Sequence, residues 1–330
     1  MPGRIDGSDM TESTVEQTAA ALRAVTAAVG EAVVGRDRAV RLALAGVLAG
    51  GHVLLEDVPG LGKTLLARSL ATALGLDFTR LQCTPDLQPA DVTGSFVFDP
   101  ARREFDFRPG PVFTGLLLAD EINRTPPKTQ AALLEAMQER QVTVEGRTFP
   151  LPPPFHVLAT ANPVEYEGTF PLPEAQLDRF LLRVDIGYPP ADEEIEVLRR
   201  RLARRTEDTK VPPVVDAACL AALQSSVEHV AVDLDVIRYC VDLARASRDH
   251  PSVEVGASPR GSQAVLLVAR ALAVLDGRDF VLPEDVKDCA IPALAHRLTL
   301  RPETWSSGVS TTEVIAELLT SVPGPVTTRS

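Results

Sequence analysis

The chain has 330 residues, of which 45% are hydrophobic, and a formal net charge of −12. This length accommodates about two domains with sizeable cores. The acidic balance argues against a dedicated nucleic-acid-binding protein, although one basic face remains compatible with it, and no apolar run reaches the ~20 residues of a membrane span.

The start of the chain has no secretion signal. Met1–Glu12 is polar and lacks a basic segment followed by an apolar one, so we expect a disordered tail and a cytoplasmic protein. The cysteines and histidines are scattered without paired spacing, which indicates reduced core cysteines and isolated histidines rather than disulfides or metal ligands. They are Cys83, Cys219, Cys240 and Cys289, and His52, His156, His229, His250 and His296.

The first motif follows the apolar run His52–Leu55. Residues 57–64 read Asp-Val-Pro-Gly-Leu-Gly-Lys-Thr, a Gly-rich turn with the ending of an NTPase phosphate-binding loop. Its glycines allow the backbone N–H groups to point at phosphate oxygens, Lys63 supplies a positive charge, and the Thr64 hydroxyl can ligate Mg²⁺. The helix that begins near Thr64 adds its positive dipole end. We expect ATP to contact Pro59, Gly60, Leu61, Gly62, Lys63, Thr64 and Leu65.

This loop departs from the general pattern at its first position. Asp57 stands where the pattern has Gly. Because a carboxylate there would repel phosphate, we expect its side chain to point away from the nucleotide.

The second motif is Gly115–Glu121, an apolar strand that ends in two carboxylates. Asp120 suits an Mg²⁺ site, and Glu121 suits the base or polarising group beside an attacking water. The alternative is that two acids simply end a buried strand at the solvent. The phosphate-binding loop upstream favours the catalytic interpretation.

The first half, residues 13–189, alternates strands and helices. This order predicts a parallel sheet with helices on both faces and ligands beyond the carboxyl ends of its strands. Phe78–Cys83 alternates in polarity and is expected near an edge, whereas the other four strands are continuous apolar runs, typical of burial on both faces. One helix is expected to start with Thr125 as N-cap and Pro126 in first position. The five strands are His52–Asp57, Phe78–Cys83, Gly115–Ala119, Phe155–Asn162 and Leu182–Ile186.

Two hairpins interrupt this alternation. Ser95–Phe98 and Arg103–Phe107 can pair across the turn Asp99–Arg102, as an insert of about residues 94–108. Gln141–Val144 can pair with Thr148–Phe149 in the same way. The phenylalanines of the first hairpin either pack on their own domain or form an exposed apolar surface.

Pro189-Pro190 marks a boundary, beyond which helices replace strands. Residues 190–321 therefore read as a small all-helical domain, followed by a loose tail at 322–330. One helix carries Leu234, Ile237, Val241 and Ala244 on one face. The expected helices are Asp192–Arg205, Asp233–Asp249, one from the N-cap Ser258 to Gly277, and a last core helix from Pro283 to about His296.

These segments together resemble the AAA+ ATPases, and more narrowly the MoxR type with a helix-2 hairpin insert, over roughly Val15–His296. The resemblance implies a five-stranded P-loop core with a helical lid, ring assembly that is usually hexameric, and ATP-driven, chaperone-like remodelling of a protein client. MoxR-like proteins typically act with a von Willebrand factor A-domain partner, often to mature a metalloenzyme. The matching segments are Val33–Arg36, Leu54–Thr64, Thr84–Leu87, Ala119–Arg124, Ala159–Pro163, Leu177–Phe180 and Ser258–Arg260.

The resemblance also implies roles for single residues. Asn162 would help to hold the attacking water, Arg179 would be an arginine finger for the neighbouring subunit's ATP, and Arg260 would face the γ-phosphate. Val34 and Gly35 would pack near adenine. Both hairpins would line the pore or face a client.

Simpler alternatives exist for these residues and for the whole chain. Asn162 could be a loop amide that satisfies backbone groups, and Arg179 could pair with Asp178 or Glu174 at the surface. The chain could instead be a nucleic-acid motor or restriction subunit, which the acidic balance disfavours. It could also be a regulatory module that holds ATP, which the presence of Asp120, Glu121 and Asn162 disfavours.

Overall fold

A computed structural model describes residues 15–58, 60–162, 168–206 and 209–325. The expectations for Met1–Glu12, Pro59 and Pro163 lie outside these residues. The strands are β1 Val53–Glu56, β2 Phe78–Gln82, β3 Gly94–Asp99, β4 Glu104–Pro109, β5 Leu116–Asp120, β6 Gln141–Val144, β7 Arg147–Pro150, β8 His156–Ala161, β9 Leu182–Asp185, β10 Val253–Val255 and β11 Thr299–Leu300.

Helices flank these strands and dominate the second half. None of those in the described part of the chain is long and apolar enough to cross a membrane. They are α1 Val15–Ala32, α2 Asp37–Leu48, α3 Lys63–Ala73, α4 Pro89–Thr93, α5 Pro127–Glu139, α6 Glu174–Leu177, α7 Ala191–Arg204, α8 Ala217–Glu228, α9 Leu234–Asp249, α10 Pro259–Leu275, α11 Pro283–Leu294 and α12 Thr311–Ser321.

The five predicted strands form one parallel sheet in the order β2-β5-β8-β1-β9. Strand β2 lies at an edge, as predicted. Strand β9 lies at the other edge, so burial on both faces was the wrong prediction for it: Leu182 and Val184 are buried, Arg183 is half-buried and Asp185 is exposed. This alternation is what a strand with one covered face requires.

The sheet separates two clusters of buried side chains, because successive residues of a strand point to opposite faces. Leu55 packs in the larger cluster, with α1, α2, α3 and the helices of the second half. Leu54 packs in the smaller cluster, with α5 and the hairpin β6–β7. The larger cluster continues without a break from the sheet domain into the helical lid.

Helix α5 begins one residue later than predicted, at Pro127 rather than at Pro126. Thr125 and Pro126 both have extended backbones, with ψ of 140° and 150°. Each precedes a proline, whose ring disfavours the helical conformation of the residue before it. The helix therefore starts at Pro127, and the prediction of Thr125 as its N-cap is wrong.

Both predicted hairpins are present. β3 pairs with β4 so that Phe96 faces Phe107 and Phe98 faces Phe105. The inner pair packs on the second hairpin, where Phe107 stacks on Phe149 with ring centroids 3.9 Å apart. The outer pair is open to solvent, with Phe98 49% and Phe105 65% exposed. The insert therefore has a packed base and an exposed apolar tip.

The helical lid contains elements that the sequence patterns did not indicate. Helices α8 and α12 belong to it, and α12 buries Val314, Ile315 and Leu318. A short antiparallel ribbon of β10 and β11 joins the ends of α9 and α11. The start of the predicted loose tail is also ordered, since Val322 packs against the core; residues 326–330 lie outside the described part.

Helix α9 buries a different face from the one predicted. Leu234, Ile237 and Val241 are 57%, 37% and 40% exposed, and of the predicted stripe Ala244 alone is buried. The helix packs through a second apolar face, formed by Val236, Tyr239, Cys240, Leu243 and Ala244. When a helix carries apolar residues on two faces, its periodicity does not determine which face the tertiary structure covers.

The four cysteines are free and buried, as predicted. Burial raises the pKa of Cys83 to about 11 and of Cys240 to about 12, which keeps both as thiols. The histidines are not all isolated, because β1 and β8 are neighbours. The rings of His52 and His156 lie 6.5 Å apart at the amino ends of the strands, away from the phosphate-binding loop.

Candidate active site

The phosphate-binding loop joins β1 to α3 at the carboxyl end of the sheet. Gly60 and Gly62 both have φ of 85°, a left-handed conformation that residues with a side chain rarely adopt. A Cβ at either position would meet nothing within 4 Å, so backbone conformation rather than crowding explains these glycines. Helix α3 begins at Lys63, and its free N–H groups therefore point towards the loop.

Lys63 is held by backbone carbonyls of two neighbouring strand ends. Its Nζ donates to the carbonyl oxygen of Asp57 and, at 3.3 Å, to that of Ala161. Partial burial lowers its pKa, opposed by the nearby carboxylates of Asp57 and Asp120. The ammonium thus lies at the junction of β1, β5 and β8, with neutral partners that an anion could replace.

The Asp57 carboxylate points away from the phosphate-binding side of the loop, as predicted. Its Oδ1 accepts from the N–H of Val58 at 2.7 Å, and its Oδ2 accepts from the N–H of Gly187 at 2.5 Å. Gly187 follows β9 in the connection to α7. The residue that departs from the general motif therefore bonds to the connection between the two domains.

Asp120 and Glu121 end β5 and share one neighbour on β8. The Thr160 hydroxyl donates to Asp120 Oδ1 at 2.7 Å and accepts from the Glu121 N–H at 2.7 Å. Glu121 itself has φ of 61°, a left-handed backbone that turns its carboxylate away from the strand direction. Thr160 fixes both acidic residues, and no sequence motif indicated it.

Side chains from β2 complete this acidic cluster. Arg80 binds Asp120 Oδ2 with its Nη2 at 2.6 Å, and its Nη2 also donates to Gln82 Oε1 at 2.7 Å. Gln82 in turn donates to Glu121 Oε2 at 3.0 Å, and Arg124 pairs with the same oxygen at 3.0 Å. Sequence analysis missed Arg80 and Gln82. Their signal was available in the alternation of β2, which places both on one side of an edge strand.

Asn162 follows β8 and is buried, at 4% exposed. Its carbonyl oxygen accepts from Asn123 Nδ2 at 3.2 Å, which ties it to the turn after Glu121. The register of the parallel strands aligns Glu56 with Ala161 and Gln82 with Asp120. It therefore brings the ends of β1, β2, β5 and β8 to one edge of the sheet.

A pocket of about 410 Å³ adjoins the phosphate-binding loop, between the sheet domain and α7. Of the residues predicted to bind the nucleotide, Val34, Gly60, Leu61, Gly62 and Leu65 line it. Gly35 lies behind the lining, where a Cβ would collide with Glu193. The other lining residues, for which no nucleotide contact was predicted, are Ala32, Val33, Arg36, Tyr188, Pro189, Glu194, Val197, Arg200 and Arg204.

This pocket has the chemistry of an adenosine triphosphate site. One end presents the glycine backbone of the loop, which suits phosphate oxygens. Lys63 and Thr64 do not line the pocket itself, but they follow Gly62 at the start of α3. The other end presents Val33, Leu65 and Val197 with arginine side chains nearby, which suits an aromatic base. Thr64 and the acidic cluster lie beside the phosphate end and offer the oxygen ligands that Mg²⁺ prefers.

The comparisons with known proteins agree with this site. Residues 52–182 match the ATPase family associated with various cellular activities (AAA), and residues 245–318 match the AAA lid domain. The chain is 48% identical to YeaC of Bacillus subtilis, over 90% of this chain and 93% of that protein. It is 43% identical to the chaperone MoxR1 of Mycobacterium tuberculosis, over 89% and 79% of the two chains. The chain belongs to the MoxR-type AAA+ ATPases.

A solved structure supports the same placement of this MoxR-type ATPase. A crystal structure of a candidate ATPase from Cytophaga hutchinsonii superposes with a TM-score of 0.88 at 39% identity, covering 94% of this chain and 97% of that one. The five-stranded sheet and the helical lid are therefore the AAA+ core and lid.

Arg179 lies away from the pocket of its own MoxR-type core. It follows α6 and lines an open depression of about 530 Å³, together with Glu135 and Glu139 of α5. Within residues 15–58, 60–162, 168–206 and 209–325, it forms no salt bridge, so the alternative pairing with Asp178 or Glu174 is absent there.

Asp178 instead binds two arginines of the lid. Arg297, 4% exposed, donates to Asp178 Oδ1 at 2.7 Å and to the carbonyl oxygen of Phe180 at 2.8 Å. Arg260 lies in the first turn of α10, as predicted, and its Nη1 is 3.7 Å from Asp178 Oδ2. The structure thus brings Arg260 to the segment that carries Arg179.

Proposed function

We propose that this protein is a Mg²⁺-dependent ATPase that uses ATP hydrolysis to remodel a protein client. The observation that carries the proposal is that the carboxyl ends of β1, β5 and β8 meet at one edge of the sheet, where the phosphate-binding loop lines a pocket. These strand ends bring together the phosphate-binding loop, Lys63, the pair Asp120–Glu121 and Asn162. Membership in the AAA+ ATPases supports the same reading.

The side chains suit distinct roles in binding. Gly60 and Gly62 present backbone N–H groups to phosphate oxygens, and Lys63 exchanges its carbonyl partners for the terminal phosphates. Thr64 and Asp120 are the proposed Mg²⁺ ligands; Asp120 must release Arg80 to serve as one. A bound Mg²⁺ would offset the charge of the phosphate oxygens.

Hydrolysis needs a group that orients and deprotonates water. Glu121 is proposed for that role, with Asn162 as the polar residue that helps to hold the water. In the structure Glu121 is held by Gln82 and Arg124, so it must turn from these partners to reach the phosphate end of the pocket. Arg260 would approach the γ-phosphate once it leaves Asp178.

Assembly into a ring follows from the position of Arg179. Its depression on α5 and α6 lies apart from its own pocket, whose lining does not include it. An arginine finger must reach the transferred phosphoryl group, so Arg179 would serve the pocket of a second subunit. We therefore propose a homo-oligomeric ring, with six subunits as the arrangement that the family implies.

A protein client is the favoured substrate. The similar MoxR1 protein is named a chaperone, and the hairpin β3–β4 exposes Val97, Phe98 and Phe105 at its tip. Such a tip suits contact with a client or with a von Willebrand factor A-domain partner. Maturation of a metalloenzyme is the finer proposal. A nucleic-acid motor is the alternative, which the net charge of −12 disfavours.

One experiment separates these functions. ATP hydrolysis by the purified protein should require Mg²⁺, stop on addition of EDTA, and fall to background in Lys63→Ala. Lys128→Ala, a change on the exposed surface of α5, is the matched control and should retain the rate. Stimulation by DNA rather than by an unfolded protein would favour the motor, and nucleotide binding without hydrolysis would favour the regulatory module.

A further inference from the structure

Asp57 is the residue of the phosphate-binding loop that the general motif does not explain. Both oxygens of its carboxylate are used by backbone N–H groups, those of Val58 at 2.7 Å and Gly187 at 2.5 Å. Charge-assisted hydrogen bonds of this length are among the stronger ones in proteins. The carboxylate therefore ties the first residue of the loop to a residue 130 positions away.

Gly187 is the conformationally special residue of the connection between core and lid. It has φ of 70°, and a Cβ there would meet nothing within 4 Å, so its backbone conformation rather than crowding requires glycine. It is followed by Tyr188 and the rigid pair Pro189–Pro190, after which α7 begins. Rotation at Gly187 would therefore change the direction of α7 relative to the sheet.

Asp57 is also bonded, through its backbone carbonyl, to Lys63, the proposed phosphate-binding residue. Lys63 Nζ donates to the carbonyl oxygen of Asp57. When Lys63 turns to a phosphate, that carbonyl loses its partner and the Asp57 peptide is free to shift. Lys63, Asp57 and Gly187 thus form a continuous chain of hydrogen-bonded groups, which runs from the phosphate-binding loop to the connection before α7.

The residues that follow Gly187 also line the pocket beside the phosphate-binding loop. Tyr188 and Pro189 contact it from the connection, and Val197, Arg200 and Arg204 contact it from α7. A nucleotide in this pocket would therefore contact Tyr188, the residue that follows Gly187. Any change in the angle of α7 would alter the lining directly.

We propose that Asp57 is a positioning residue, which couples occupancy of the phosphate-binding loop to the orientation of α7, the first helix after the core, through its hydrogen bond to Gly187. The inference deepens the proposed ATPase function and rests on it. A glycine at position 57, as in the general motif, would leave the loop intact but remove the coupling.

The tie can be tested first without nucleotide, by hydrogen exchange over residues 186–190. Pro189 and Pro190 have no N–H, so Ile186, Gly187 and Tyr188 are the only amides that report. Asp57→Ala should speed exchange of the Gly187 amide at least ~10-fold, because its carboxylate acceptor is lost. Asp57→Asn keeps an oxygen acceptor and should restore part of the protection. Asp185→Asn, which removes a neighbouring charge but not this bond, should exchange like the wild type.

The coupling is tested by adding the non-hydrolysable analogue AMP-PNP with Mg²⁺. In the wild type the exchange at residues 186–190 should change on binding, and in Asp57→Ala and Asp57→Gly that change should disappear. Both variants should still bind AMP-PNP, with a dissociation constant within ~3-fold, while kcat falls ~10-fold, since the phosphates are gripped by backbone and Lys63 rather than by Asp57.

Two results would overturn the inference. One is wild-type exchange at Gly187 in Asp57→Ala, which would show that the bond does not form in solution. The other is an undiminished response to AMP-PNP in that variant. If the wild type did not bind AMP-PNP, the proposed ATPase function would be overturned instead. Hydrogen exchange measured without nucleotide would still decide whether the bond from Gly187 to Asp57 exists.

Discussion

Glu121 shows at the scale of one residue how the fold adapts to its site. Its φ of 61° is a conformation that non-glycine residues rarely adopt, at a cost of ~1–3 kcal/mol. The Thr160 hydroxyl accepts a hydrogen bond from the Glu121 N–H and thereby holds this conformation. Strained backbone of this kind tends to persist where function requires it, and it directs the Glu121 carboxylate towards Gln82 and Arg124 instead of along the strand.

Glu121→Gln should bind ATP but lose hydrolysis. The amide cannot accept a proton from water, so kcat should fall at least ~100-fold while nucleotide affinity is retained. Steady-state ATPase assays and fluorescent-nucleotide titration measure the two quantities. Glu254→Gln, at an exposed position of strand β10, is the control and should hydrolyse normally; near-wild-type turnover in Glu121→Gln would show that the base is another group.

His52 and His156 make stability depend on pH. Burial lowers the pKa of His52 to about 3 and of His156 to about 4. His52 Nδ1 accepts from the N–H of Val157, so the neutral ring is the form that fits. In the unfolded chain these histidines take up protons near pH 6.5, whereas in the native state they stay neutral. Their neutral form therefore contributes fully to the free energy of unfolding above pH 6.5, and this contribution is lost as pH falls towards 4.

The expected loss is up to ~1.4 kcal/mol of unfolding free energy per pH unit for each histidine. Urea denaturation at pH 7.5, 6 and 5 measures it. His156→Asn should be less stable at pH 7.5 but should lose stability less steeply below pH 6.5. The exposed His229→Asn should follow the wild-type slope, and identical slopes for all three proteins would refute the assignment.

At the scale of single elements, the hairpin β3–β4 divides into two functional parts. Its inner phenylalanines join a stack that includes Phe149 of the second hairpin, and this anchors a two-stranded element that would not be stable alone. Its outer phenylalanines and the turn with Arg102 face solvent. The phenylalanines at the base of the hairpin therefore anchor it, and those at its tip are available to a partner.

Matched alanine changes should separate these parts. Phe107→Ala removes a stacked ring and should cost ~2 kcal/mol of stability, whereas Phe105→Ala should cost under ~0.5 kcal/mol. The double change Arg102→Ala with Arg103→Ala should leave folding and basal ATPase intact, since this tip is remote from the pocket. Urea denaturation and ATPase assays measure these effects.

Partner contact through the tip is the functional half of this prediction. Phe105→Ala and the double arginine change should weaken binding to a purified von Willebrand A-domain protein from the same organism, measured by calorimetry. Unchanged binding, together with a large loss of stability in Phe105→Ala, would show that the hairpin is only structural.

At the scale of the whole molecule, core and lid share one continuous hydrophobic cluster and a buried ionic contact. Arg297 of the lid is enclosed by Asp178 and the carbonyl oxygens around Phe180, next to Arg179. Removal of one partner from a buried pair leaves an uncompensated charge, so this contact constrains the segment that carries Arg179. The segment that carries Arg179 is therefore held to the lid by Arg297.

Hydrolysis in trans should be detectable by mixing inactive variants. Arg179→Ala retains a pocket and Lys63→Ala retains a finger, so a mixed interface can combine one intact half from each and restore some ATPase activity. The specific activity of the wild type should also fall on dilution as rings dissociate. A rate per subunit that stays constant in a strict monomer would contradict the proposal.

The sequence by itself determined the strands, the phosphate-binding loop and both hairpins. These depend on local properties: apolar runs, the left-handed freedom of Gly60 and Gly62, and polar turns between alternating strands. The carboxyl-end location of Asp120 and Glu121 also followed, because parallel strands in a crossover fold end at the same edge. The change of pattern after Pro189-Pro190 also predicted an all-helical second domain. The family resemblance identified that domain as a lid and added the roles of Asn162, Arg179 and Arg260, which stay predictions.

The tertiary structure alone decided contacts between residues far apart in the chain. Strand register set Thr160 against both acids and Arg80 against Asp120, and the sheet order placed β9 at an edge. The covered face of α9 and the bond from Asp57 to Gly187 arose in the same way. Local periodicity specifies which element forms, but the partner of each side chain depends on how distant elements pack, and that information is not local in the sequence.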